Sequence, residues 1–174
     1  MKPRTLGAIL AGGRSTRFGS DKALAPLEGR PLILWVAEAL AAQCDEILIC
    51  GRELAGYRCV KDRPGPDLGP LGGLAAALHD GRARGFDQVL SAPCDTPRLP
   101  PDLSGLLAGE GAAFVGATPV IGLWPIALAE TIDAFVRDDP KRSMRGWAAV
   151  AGARSIDLPT AIPNLNTAAD LARL

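Results

Sequence analysis

The chain has 174 residues, enough for one domain with a substantial core and marginal for two. With 48% hydrophobic and 22% charged residues, it reads as a folded globular chain and not a disordered one. Nineteen Lys and Arg balance nineteen Asp and Glu, which argues against a surface built to coat nucleic acid or an anionic membrane. A site for an anionic ligand must then be made locally.

The apolar runs are too short to span a bilayer. The first residues, MKPRTLGAILAGG, run into Gly12-Gly13 and then Arg14 and Arg17, with no small-x-small cleavage pattern. They read as a buried first strand, and the expectation is a cytoplasmic chain. Cys44, Cys50, Cys59 and Cys94 show no C-x-x-C spacing, so neither a structural zinc site nor a disulfide framework is expected. His79, the single histidine, lies in the helical pattern LAAALHDG, which makes a poor catalytic triad base.

In chain order, Thr5 to Leu10 reads as a buried strand stopped by glycines. Pro31 to Gln43 carries apolar residues at helical spacing, with proline in its first turn. Glu46 to Cys50 is a second buried strand and Arg58 to Lys61 a short third. Gly69-Pro70 opens a helix, LGGLAAALHDGRAR, and Gln88 to Ala92 is a further strand, ending at Pro93-Cys94-Asp95. Pro100 and Pro101 open a short helix to Leu107. Beyond residue 110, Ala113 to Gly116 and Gly122 to Pro125 read as strands around a turn. Ile126 to Val136 and Ser143 to Val150 read as helices, and Thr167 to Leu174 as a last helix capped by Thr167.

Alternating helices and strands apolar on both faces indicate an α/β fold, a mostly parallel sheet between two layers of helices. Right-handed crossovers place the loops after its parallel strands on one edge, where ligands bind. The segments AGGRSTRFGSDK, the residues after Cys50, Asp62 onward, and PCDTP all fall there.

The first of these loops combines Gly12, Gly13 and Gly19 with Arg14, Arg17 and Lys22. Glycines let backbone N–H groups approach an anion, and the cations supply charge. The spacing is neither a Walker loop nor a dinucleotide fingerprint. Asp95, directly after a buried strand and flanked by prolines, reads either as a turn residue or as a Mg2+ ligand, since Mg2+ takes one or two carboxylates plus phosphate oxygens. Asp62 with Gly69-Pro70-Leu71-Gly72-Gly73 reads either as a ligand-facing turn or as a tight helix–sheet contact. Asn164 and Asn166, spaced by two, read as turn or binding residues.

LAGGRSTRFGSDKAL resembles the L-A-G-G-x-x-x-R-[MF]-G-x-D-K loop of the nucleotidyltransferase superfamily. Together with GPLGGL, PCDTPRLPPDL and NLNTAADL, in that order, it resembles most closely the molybdenum cofactor guanylyltransferases, over essentially the whole chain. The resemblance implies a three-layer α/β/α Rossmann-like nucleotidyltransferase fold in a single domain, residues 1–174. The nucleotide-binding half would span 1–110 and the acceptor side 111–174. It implies transfer of GMP from Mg-GTP to the phosphate of molybdopterin, with Mg2+ as cofactor. By the same resemblance Leu10, Ala11 and Gly12 contact GTP through their backbone, with Gly13 adding a donor. Lys22 contacts the phosphates, Asp62 lies on the guanine-nucleotide side, and Asp95 holds Mg2+. Arg17 faces the triphosphate, and Asn166 lies near the reacting phosphate.

Two departures stand out. The family carries a nucleotide-contacting Asn after its second strand, where this chain has Cys50-Gly51-Arg52. The stretch from Phe114 to Pro125, on the acceptor side, is short. Arg142, Ser143 and Arg145 form a cationic cluster at a helix start that reads as an acceptor site or as a solvated helix end. Trp124 and Trp147 read as core residues or as flanks of a pterin. Other acceptors, such as a sugar or alditol phosphate with CTP or UTP, and a non-catalytic nucleotide-binding module, are the alternatives. Contact with proteins that deliver molybdopterin or receive the product is also expected.

Overall fold

The computed structural model describes residues 1–13, 21–163, 165 and 167–174. In chain order the strands are β1 (Thr5–Leu10), β2 (Pro26–Leu27), β3 (Arg30–Pro31), β4 (Glu46–Cys50), β5 (Arg58–Val60), β6 (Gln88–Pro93), β7 (Ala113–Val115), β8 (Thr118–Pro125) and β9 (Arg154–Ile156). The helices are α1 (Leu32–Ala41), α2 (Pro70–Ala83), α3 (Leu103–Leu107), α4 (Ala129–Asp138), α5 (Met144–Val150) and α6 (Ala168–Leu171). Single 3-10 turns cover Lys22–Leu24 and Ile126–Leu128.

Seven strands form one sheet in the order β5-β4-β1-β6-β8-β7-β9, while β2 and β3 form a separate small ribbon. All six residues of β1 are buried, because it lies between two parallel neighbours, β4 and β6, and under helices on both faces. One face packs Leu6, Leu48, Val89 and Trp124 against α2, α4 and α5; the other packs Ile9, Ile49, Leu90 and Leu123 against α1 and α3. The expected three-layer α/β/α sandwich is therefore present.

β8 runs antiparallel to both β6 and β7, so its C-terminal end faces the opposite edge from those of β1, β4, β5 and β6. The stretch from Phe114 to Pro125 is built into the sheet as a bulged hairpin, and β8 begins at Thr118, four residues before the expected start. Trp124 anchors this hairpin. Its Nε1 donates to Ser91 Oγ at 2.9 Å, and Ser91 Oγ donates to the Val120 carbonyl at 2.7 Å. A side-chain carbon on Gly122 would lie 2.5 Å from the Trp124 ring, so the bare backbone there makes room for the indole.

Other differences are local. The helix expected from Pro100 begins at Leu103, the one expected from Ile126 starts as a 3-10 turn, and the last helix is short. Thr167 caps α6 in a reciprocal capping box with Asp170. β2, β3 and β9 were not expected. Trp124 and Trp147 are both fully buried, with ring centroids 6.0 Å apart. Core packing, not pterin stacking, is their role.

Candidate functional site

The C-terminal ends of β1, β4, β5 and β6 share one sheet edge and carry Gly12, Gly51, Asp62 and Asp95 on the residues that follow them. The backbones after β1 and β4 nearly touch. A Cβ on Gly51 would lie 2.5 Å from Gly12 Cα, and Gly51 has φ +86°, so glycine is required on both counts. The Ala11 N–H donates to the Cys50 carbonyl at 2.9 Å, and the Gly51 N–H to the Val60 carbonyl at 2.9 Å. Ala11 spends its N–H inside the sheet edge, so its carbonyl is the backbone group it can offer a ligand. The Leu10 and Ala11 side chains are core.

Asp62 sits in a glycine-lined recess. A Cβ on Gly12 would meet its Oδ2 at 2.8 Å, and one on Gly72 would meet its Cβ at 3.1 Å. Gly73 packs against Leu10 and Cys50. Gly73 thus marks a close helix–sheet approach, and Gly72 a close approach of α2 to the loop that carries Asp62. Asp62 Oδ1 is buried with no hydrogen-bond partner among the described residues. Burial, reinforced by the Asp67 carboxylate, pushes Asp62 above the usual carboxylate range. A cleft of about 560 Å3 opens beside it, lined by Gly12, Gly51, Arg52, Asp62, Pro64 and Asp67. That volume falls among small-ligand sites, about 300–1,000 Å3. The next residue, Arg63, is tied to α4 by Asp133, at 3.0 Å from Nη2. His79 Nε2 lies 2.9 Å from the same carboxylate, so the histidine serves this structural tie and not chemistry.

Asp95 is buried. Its Oδ2 lies 2.5 Å from Lys22 Nζ, and its Oδ1 is buried without a partner among the described residues. The two residues are distant in sequence, and the pair joins the end of the glycine loop to the turn after β6. The Leu165 N–H donates to the Asp95 carbonyl at 3.3 Å, which brings the C-terminal segment to the same turn. Cys94 beside it is pushed up to about 11, by burial first and then by Asp95, so it stays a thiol at neutral pH.

The described residues hold no group of three or more His, Cys, Asp or Glu able to cage a metal. An ion that uses one protein carboxylate and completes its shell with phosphate oxygens and water does not need such a cage. The hard, buried Oδ1 of Asp95, without a partner among the described residues, fits that chemistry.

Arg17 and Asn166, expected at this site, lie outside the described residues, as does Asn164. Gly13 is exposed. Arg142, Ser143 and Arg145 are used internally: Arg142 Nε donates to the Val136 carbonyl, Arg145 Nη2 to the Gly116 carbonyl, and Ser143 Oγ caps α5. The solvated helix end is the better account of that cluster. Sequence reasoning passed over Arg52 except as a departure. Its partner is Asp21, 31 positions earlier, and no local signal links them.

No helix among the described residues is long and apolar enough to cross a membrane. The family model described as the MobA-like NTP transferase domain matches residues 7–153. A protein of Cereibacter sphaeroides named molybdenum cofactor guanylyltransferase is 42% identical, across 98% of this chain and 95% of its own length. One of the same name from Rhodobacter capsulatus is 37% identical, across 98% and 94%. In fold, the chain resembles molybdopterin-guanine dinucleotide biosynthesis protein A from Archaeoglobus fulgidus, with a TM-score of 0.77 at 19% identity over 97% of this chain and 95% of that one. With its glycine-lined edge, the Lys22–Asp95 pair and these relatives, the chain belongs to the MobA-like nucleotidyltransferases, the family of the molybdenum cofactor guanylyltransferases.

Proposed function

We propose that this enzyme transfers GMP from Mg-GTP to the terminal phosphate of molybdopterin. A phosphate oxygen of molybdopterin attacks the α-phosphorus of GTP, the bond from that phosphorus to the bridging oxygen breaks, and pyrophosphate leaves. The products are molybdopterin guanine dinucleotide and pyrophosphate. The family relationship supplies the reaction class. The observation that carries the site is the pairing of Lys22 with Asp95 beside the glycine-lined edge, with Asp95 Oδ1 buried and without a partner among the described residues.

Little covalent work falls to the protein in such a step; positioning and charge stabilisation do most of it. The carbonyl of Ala11 and the backbone of Leu10, Gly12 and Gly13 face the nucleotide. Asp62 lies on the nucleoside side, in the recess beside the cleft. Lys22 and Arg17 offset charge on the departing pyrophosphate, and Asp95 holds the divalent ion. Asn166 approaches the acceptor phosphate. When bound, the ion neutralises phosphate charge and orients the oxygens. Enzymes of this family generally depend on a divalent metal, and Mg2+ is the ion proposed here.

The chain acts as a single domain, with residues 1–110 binding nucleotide and residues 111–174 completing the acceptor side. The reading carries with it a cytoplasmic location and transient contact with proteins that deliver molybdopterin or receive the product.

Thermal stabilisation by GTP, CTP, UTP and ATP, each with and without Mg2+, tests the nucleotide directly. Selective stabilisation by Mg-GTP is expected. Preference for CTP or UTP would remove the guanylyl reading and point to sugar or alditol phosphate acceptors.

A further inference from the structure

Arg52 stands two residues beyond β4, on the wall of the cleft that also holds Gly12 and Asp62. Its guanidinium grips Asp21 with two parallel bonds: Nη1 donates to Oδ1 at 2.9 Å and Nη2 to Oδ2 at 2.6 Å. Asp21 in turn accepts from the Ala23 N–H at 3.2 Å and so caps the 3-10 turn that begins at Lys22. Lys22 then reaches Asp95. One chain of contacts therefore runs from the end of β4, through the end of the glycine loop, to the turn after β6.

An exposed ion pair contributes about 0–1 kcal/mol and would carry no functional weight. This one differs in three respects. It is bidentate, the geometry that gives Arg–carboxylate pairs their strength and direction. The Arg52 side chain is only 20% exposed. Its Nε is buried with no partner among the described residues, a cost that a merely decorative arginine would shed by swinging into solvent. The hydrogen bond from Arg52 holds the Asp21 carboxyl below the usual range, so the pair stays charged well into acid.

We propose that Arg52 is a positioning residue for nucleotide binding: through Asp21 it fixes the turn that aims Lys22 at the phosphates. The proposal rests on the guanylyl-transfer reading, in which Lys22 meets the triphosphate. Arg52 orders the lysine from behind and does not need to touch the ligand.

The test is calorimetric titration of Mg-GTP and of GMP into the wild type, R52A, K22A and the R52A/K22A double variant. GMP lacks the β- and γ-phosphates, so it reports nucleoside recognition without the pyrophosphate contacts. Arg52→Ala is expected to weaken Mg-GTP about tenfold, roughly one charge-assisted contact, and to leave GMP unchanged. In the Lys22→Ala background the same substitution should cost nothing further, because its effect passes through the lysine. Asp21→Asn keeps a capping side chain but removes the charge. It should reproduce the R52A loss, and it serves if R52A does not fold. Unchanged GTP affinity in folded R52A and D21N would overturn the proposal. So would a parallel loss of GMP affinity, or a loss fully additive with K22A. A wild type that binds no Mg-GTP would instead overturn the guanylyl-transfer reading itself.

Discussion

The ammonium of Lys22 lies 2.5 Å from Oδ2 of Asp95, while the other oxygen of the same carboxylate is buried and unmatched among the described residues. Both side chains are mostly buried, at 17% and 12% exposure. Removing one member of such a pair strands the other. Lys22→Ala should therefore lower stability by on the order of 3 kcal/mol, read from denaturant unfolding. It should also weaken Mg-GTP by about 1–3 kcal/mol. The carboxylate it uncovers should bind Mg2+ or Mn2+ alone more readily than in the wild type, seen as a larger thermal shift by the ion without nucleotide.

Asp95→Ala should fold and yet lose several orders of magnitude in pyrophosphate release. Circular dichroism and a nucleotide-free melting curve would establish the fold. Near-normal turnover would remove Asp95 from the reaction.

Asp62 titrates the other way from a salt-bridged carboxylate. Burial raises its pKa in the folded state above the unfolded value of about 4, with Asp67 adding to the shift. Between the two values the native protein binds more protons than the unfolded chain, so stability falls as pH rises through that window. Asp62→Asn removes the buried charge. Apo stability at pH 7 should rise, and the downward slope just above pH 4 should flatten. In the proposed reaction Asp62 lies on the nucleoside side, so the same variant should bind Mg-GTP more weakly.

Gly51→Ala should be costly. A methyl there would lie 2.5 Å from Gly12 Cα, at a φ of +86°. Strain and clash together should cost about 2–4 kcal/mol and blunt nucleotide binding. Gly13→Ala is the contrast: nothing described lies within 4 Å of the added carbon, so stability should change by less than about 0.5 kcal/mol.

The first half of the fold was legible because each parallel strand is a short apolar run ended by glycine, proline or aspartate. β1 and β4 fall at the expected residues. Elsewhere the pattern fails for physical reasons. β9 has three residues and an exposed centre at the edge of the sheet, so it carries no buried run. β2 and β3 have two residues each. The start of β8 holds a proline and half-exposed side chains, which hid four of its residues. At the site, Asp95 was legible from its rigid place after a strand. Asp62 was legible only as one of two alternatives, because what marks it is the absence of side chains around it on glycines from three separate stretches of the chain, Gly12, Gly51 and Gly72-Gly73. The Arg52–Asp21 grip, 31 residues apart, leaves no local trace at all.

The Trp124–Ser91 bond and the β6–β8 ladder bear on how the protein can be cut. Residues 1–110 contain the glycine loop, Asp62 and Asp95, and look like a minimal nucleotide binder. Trimmed there, β6 would present Val89 and Leu90 along an open strand edge that β8 now covers. Ser91 would lose both its indole donor and its carbonyl acceptor. A bare apolar edge of this kind templates pairing with a second chain. The fragment should therefore collect in inclusion bodies instead of folding as a small soluble module. The antiparallel hairpin is what seals the strand that leads into Asp95.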